Sequence, residues 1–159
     1  MAIDDYSDFP DVTNDWKTRP HNWDLVVKTD GAMPGRLNYY LSFPAALRLE
    51  DKVHAEISKR FDDISIKQPV EISFKLRMRG DLPGEGSIRL TYWPDNGVHE
   101  EIKHTPTLHQ WDQISGTLPA AELDPVTEIR IVLEYPIVEG DITFDIDDIH
   151  VVQQASSPK

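Results

Sequence analysis

Cysteine is absent from the 159 residues, which removes disulfides, thiolate nucleophiles and cysteine-based zinc sites together. No apolar run approaches the length that a membrane-spanning helix needs, so no membrane partner is expected. The opening MAIDDYSDFPD has neither a basic n-region nor an apolar h-region. That predicts a chain that is cytosolic as given, or extracellular after loss of an export signal. Positive charge is scarce: 16 Lys and Arg stand against 28 Asp and Glu, a net charge of −12. A field of that sign repels phosphate backbones, and no nucleic-acid partner is expected. Nucleophile elbow, P-loop and dinucleotide fingerprint are all missing. The six histidines match no zinc spacing; His99, His104 and His109 recur every five residues, which suits neither a helix face nor a strand face.

What is present is a series of short alternating segments broken by Pro, Gly and Asp. VEISFKLRMR at 70–79 alternates Ile72, Phe74, Leu76 and Met78 with Glu71, Ser73, Lys75, Arg77 and Arg79. SIRLTYW at 87–93 puts Ile88, Leu90 and Tyr92 inward and Arg89, Thr91 and Trp93 outward. LNYYLSF at 37–43, WDQISGTL at 111–118 and TEIRIVLEY at 127–135 repeat this period of two, which is that of a β-strand. Residues 47–64 fit helical and strand spacing almost equally, and a strand over about 52–61 is expected. The closing GDITFDIDDIHVV at 140–152 alternates Ile142, Phe144 and Ile146, then restarts out of phase at Ile149 and Val151. Asp141 and Asp145 therefore belong to the strand exterior, and the Asp147–Asp148 pair marks a bulge or kink. Seven or more strands predict an all-β fold, an antiparallel β-sandwich of jelly-roll type. The expected organisation is an acidic arm at 1–22 anchored by Phe9 and Trp16, the sandwich at 23–152, and a polar tail at 153–159.

The order of YSDFPDVTNDW (6–16), GAMPGRLNYYLSF (31–43), PVEISFKLRMRG (69–80), HQWDQISGTLPA (109–120), EIRIVLEY (128–135) and DITFDIDDIHV (141–151) resembles carbohydrate-binding modules of the family 4 and family 9 type. These belong to the galactose-binding-like jelly-roll class. The resemblance covers most of the chain, and its best markers are the strand led by Trp111 and the closing F-x-I-D-D-I. It implies a packing role for Trp111. It also implies a structural calcium, held by an acidic residue near an N-terminal Phe and by an aspartate of the final pair. The matching residues are Asp8 and Asp11 around Phe9, with Asp147 and Asp148; Pro10 stands where the family usually has Glu. The run is no EF-hand, lacking the Gly at position 6 and the Glu at position 12.

A sugar ring offers an apolar C–H face rimmed by hydroxyls, so its sites pair a flat aromatic with planar polar groups. Three groups have this chemistry: Trp93 with Arg89 and Thr91, Tyr40 with Asn38 and Ser42, and Trp23 with Asn22 and Asp24. Lys75, Arg77, Arg79, Arg89 and Arg130 form a second pattern, a basic sheet face able to read an anionic glycan unless Glu71, Glu128 and Glu134 offset it. The leading expectation is a non-catalytic module that binds a poly- or oligosaccharide. A protein-interaction or structural accessory domain of the same fold is the alternative. A small glycan-active enzyme comes third, because paired carboxylates are recognised only by their facing each other across a cleft.

Overall fold

The computed structural model describes residues 3–7, 16–19, 26–29, 39–44, 47–48, 52–64, 68–80, 83–93, 99–107, 110–120, 126–136, 140 and 142–153. These include twelve strands and no helix: β1 (Ile3–Ser7), β2 (Lys17–Arg19), β3 (Val26–Thr29), β4 (Tyr39–Pro44), β5 (Leu47–Arg48), β6 (Lys52–Ile64), β7 (Val70–Gly80), β8 (Gly86–Trp93), β9 (His99–His104), β10 (Asp112–Leu118), β11 (Val126–Pro136) and β12 (Ile142–Gln153).

Two antiparallel sheets result. The first runs β10-β7-β12-β4-β3, with β1 added alongside β12; the second runs β2-β6-β11-β8-β9, with β5 added alongside β6. The jelly-roll expectation holds. The ambiguous 47–64 segment is mostly strand because β6 lies between β2 and β11, where alternation buries Val53, Ala55 and Ile57 against the opposite sheet. The acidic arm contributes β1 and β2, and Trp16 is buried in the core. Phe9 lies outside the described residues. The chain after Trp93 supplies β9, which pairs with β8 from Gly86↔His104 to Thr91↔His99.

Alternation builds the core. Val70, Ile72, Phe74, Leu76 and Met78 of β7 face Ile88, Leu90 and Tyr92 of β8 and Ile129, Ile131, Leu133 and Tyr135 of β11 within one cluster. Each fully buried aliphatic side chain there contributes about 1.5–3 kcal/mol. Polar groups tie the sheets together at one end. The Tyr135 hydroxyl lies 2.7 Å from His104 Nδ1, and His104 Nε2 lies 2.8 Å from Asp112 Oδ2. With Nε2–H donating to Asp112, Nδ1 accepts from Tyr135, and all three groups are satisfied. Burial, reinforced by the Asp112 charge, pushes the Tyr135 phenol well above its usual range.

The strand β12 contains the expected bulge. Its pairing with β7 shifts register between Asp147 and His150, and Asp148 takes φ 50°, a conformation that Asp tolerates better than most residues. The Asp148 amide donates to Asp147 Oδ1 at 2.8 Å. Asp145 departs from expectation. It is on the outer side of the sheet, yet its exposure is 0%, because Arg77 and Arg79 fold over it with Nε contacts of 2.9 and 2.6 Å. Asp141 lies outside the described residues.

Candidate functional site

The outer side of the second sheet gathers the polar residues of β6, β11, β8 and β9 into cross-strand rows. Register places Arg60, Glu128 and Trp93 in one row, and Ser58, Arg130, Thr91 and His99 in the next. Glu56, Val132, Arg89 and Glu101 form the third. The rows exist because each strand buries its other face, so every second side chain of four adjacent strands must emerge together.

Trp93 is the one large hydrophobic side chain exposed among the described residues, at 44%. The Arg130 guanidinium lies over its ring, 4.0 Å from the centroid. Arg130 is itself held by Glu128, which accepts from Nε and Nη2 at 3.2 Å, and by Glu56 at 3.6 Å. This arrangement fixes the indole against a cation–π partner while nearly half of the residue stays open to solvent. Beside it lies a hollow of about 460 Å³ whose polar walls include Glu56, Arg89, Thr91 and His99. Tyr92 also borders it, but from the buried side; desolvation pushes its hydroxyl up to about 12, and that oxygen has no partner among the described residues.

Charges on this face are matched. Arg89 approaches Glu134 at 3.9 Å, and Glu134 also receives Lys52 at 2.9 Å and His54 at 3.3 Å. Partial burial raises the Glu134 pKa, but hydrogen bonds from Lys52 and His54 outweigh it and leave the carboxyl below its ordinary value. The groove therefore presents hydrogen-bonding groups without a strong field of either sign.

The sequence-based candidates separate clearly. Trp93 and Arg89 share the groove. Tyr40 belongs to β4 of the other sheet, where it pairs with Lys28, so it does not join Trp93. Trp23 and Asn38 lie outside the described residues, as do Asp8 and Asp11. Asp147 and Asp148 lie at the bulge of β12, again on the first sheet. The proposed basic face also divides. Lys75, Arg77 and Arg79 stand on the first sheet, whereas Arg89 and Arg130 stand on the second. Glu128 and Glu134 neutralise the second group as expected, but Asp145 and Asp148 neutralise the first. Trp111 does not pack in the core: Asp112 pairs with inward Leu76, so its neighbour emerges on the outer side, where Arg77 lies 4.5 Å from the ring centroid.

Arg130, Glu128 and Glu56 are the groove residues that sequence reading missed as a unit. Their only signal is outward parity on two separate strands; that they meet at Trp93 depends on register.

The same architecture recurs in proteins of known structure. The fold is that of carbohydrate-binding modules. A family 22 xylan-binding domain from Paenibacillus barcinonensis aligns at TM-score 0.63 and 16% identity, over 94% of this chain and 99% of that one. A family 27 module that recognises mannan aligns at TM-score 0.59 and 13% identity, covering 98% and 99%. A family 61 module in complex with β-1,4-galactotriose aligns at TM-score 0.53 and 15% identity, covering 87% and 88%. No protein-family model and no curated protein matches the sequence.

Proposed function

We propose that this protein is a non-catalytic carbohydrate-binding module of the broad type to which families 4 and 9 belong, and that it takes a neutral glycan in the Trp93 groove. The observation that carries this reading is the half-exposed Trp93 ring, pinned by Arg130 beside a polar hollow on the sheet. The apolar face of a sugar ring stacks on the indole. Arg89, Glu56 and His99 are placed to exchange hydrogen bonds with hydroxyls that would be left unpaired on a purely apolar surface. Structural likeness to modules that bind xylan, mannan and galactotriose supports the same class of ligand.

Calorimetric titration with xylan, mannan and galactan fragments tests it. Trp93→Ala is expected to weaken binding roughly thirtyfold or more, about 2 kcal/mol, as loss of an aromatic anchor does. Arg130→Ala should weaken it less, by freeing the ring rather than removing it. Unchanged affinity in Trp93→Ala, with the fold intact by circular dichroism, overturns the assignment.

A structural calcium belongs to the same proposal. Among the described residues no three potential ligands cluster, but Asp148 already holds a cation, the Lys75 ammonium at 3.0 Å. A divalent ion would take that position with Asp147 and Asp148, and Asp8 and Asp11 would complete its oxygen ligands. Calcium is expected to raise Tm and a chelator to reverse the rise; a Tm indifferent to both removes the site.

A further inference from the structure

We infer that the outer face of the first sheet, on the opposite side of the sandwich from Trp93, carries a second saccharide site centred on Trp111.

Three observations carry it. The first is an aromatic ring held in place from beneath. Arg77 packs against one face of the Trp111 ring, and Arg77 is fixed by Asp145, whose carboxylate is wholly buried. Arg79 closes the other side of that carboxylate and donates to Ser42 at 3.1 Å. Burying a carboxylate on the outside of a sheet is costly unless its charge is matched and its lone pairs are filled. Here the result is a rigid platform for one indole.

The second is a hollow of about 280 Å³ beside that indole, walled by Lys75, Gln113 and Asp147. These residues occupy a single cross-strand row, Gln113↔Lys75↔Asp147, and supply an amide, an ammonium and a carboxylate around the ring edge. Farther along the same strands lies a trough of about 510 Å³ lined by Ser73, Ser115, Thr117 and His150. From Trp111 to Thr117 the strand extends roughly 20 Å, long enough for an oligosaccharide rather than a single ring.

The third is charge. Lys75, Arg77 and Arg79 are opposed on this face by Glu71, Asp145, Asp147 and Asp148, and Asp148 holds Lys75 while Asp145 holds both arginines. An anionic ligand gains nothing from so neutralised a surface. A neutral polyhydroxylated ligand does, since ring stacking and hydroxyl contacts to the exposed Gln113 amide need no net charge.

The site is independent of the Trp93 groove, and one experiment separates them. The four indole N–H resonances of ¹⁵N-labelled full-length protein are assigned with Trp→Phe variants. The protein is then titrated with β-1,4-galactotriose and with short xylan and mannan fragments. Saturable movement of the Trp111 indole is expected, surviving Trp93→Ala and weakened at least fivefold by Gln113→Ala, an exposed change that leaves the core untouched. Movement of Trp93 alone overturns the second site and leaves the first standing. Movement of Trp111 alone does the reverse, and stillness of both under all three ligands overturns both.

Discussion

Replacing Asp145 with Ala is expected to destabilise the protein by about 3 kcal/mol, the cost of breaking a buried ion pair by removing one partner. For a domain of this size that lowers Tm by roughly 6–12 °C. The reason lies in what remains. Asp145 accepts three hydrogen bonds, one from Arg77 and two from Arg79. Without it two guanidinium groups, one of them on a side chain only 13% exposed, face an empty acceptor and each other. Both can turn partly toward water, which holds the expected loss to the lower end of the range for a buried pair. The platform under Trp111 should loosen as well, so the variant should also broaden the Trp111 indole resonance. Urea unfolding measures the stability, and a loss below about 0.5 kcal/mol, the level of an ordinary surface substitution, would show that Asp145 is not the keystone of that face.

Gly86→Val is expected to cost a similar amount, about 3 kcal/mol, at the upper end for overpacking. A Cβ at Gly86 would fall inside van der Waals contact with the Tyr135 ring and with the carbonyl oxygen of Glu134. The carbonyl is backbone of a central strand and cannot give way. The ring is fixed through its hydroxyl to His104, so moving it also opens the Tyr135–His104–Asp112 connection between the sheets. Thermal unfolding of Gly86→Val and Tyr135→Phe side by side distinguishes the two contributions: Tyr135→Phe removes only the hydroxyl contact and should cost less. A Gly86→Val protein as stable as the parent would place the ring elsewhere.

Both results concern residues whose importance depends on neighbours distant in sequence. Asp145 lies 66 residues from Arg79, and in the strand TFDID it reads as one more outward carboxylate. Gly86 reads as the end of a turn. Neither burial nor close approach can be inferred from alternation, because alternation says only which side of a strand a residue occupies and nothing about what covers that side. The same holds for Trp111. Its parity was available from Ile114 and Leu118, but family resemblance pointed to packing, and the structure sets it on the outer face against Arg77.

The sequence by itself determined the architecture. Alternating segments with turn residues between them admit little besides an antiparallel sandwich, and the phase slip at Asp147 and Asp148 announced the bulge at Asp148. It also marked Trp93 and Arg89 as outward neighbours, since residues four apart on one strand share a face by local geometry alone. Only the tertiary structure decided which strands lie side by side, and hence that Arg130, Glu128 and Glu56 assemble on Trp93 while Tyr40 belongs to the other sheet. Strand order and register are set by the summed packing of the buried faces, a property of the whole chain; a surface site inherits its members from that packing and leaves no local signal of its own.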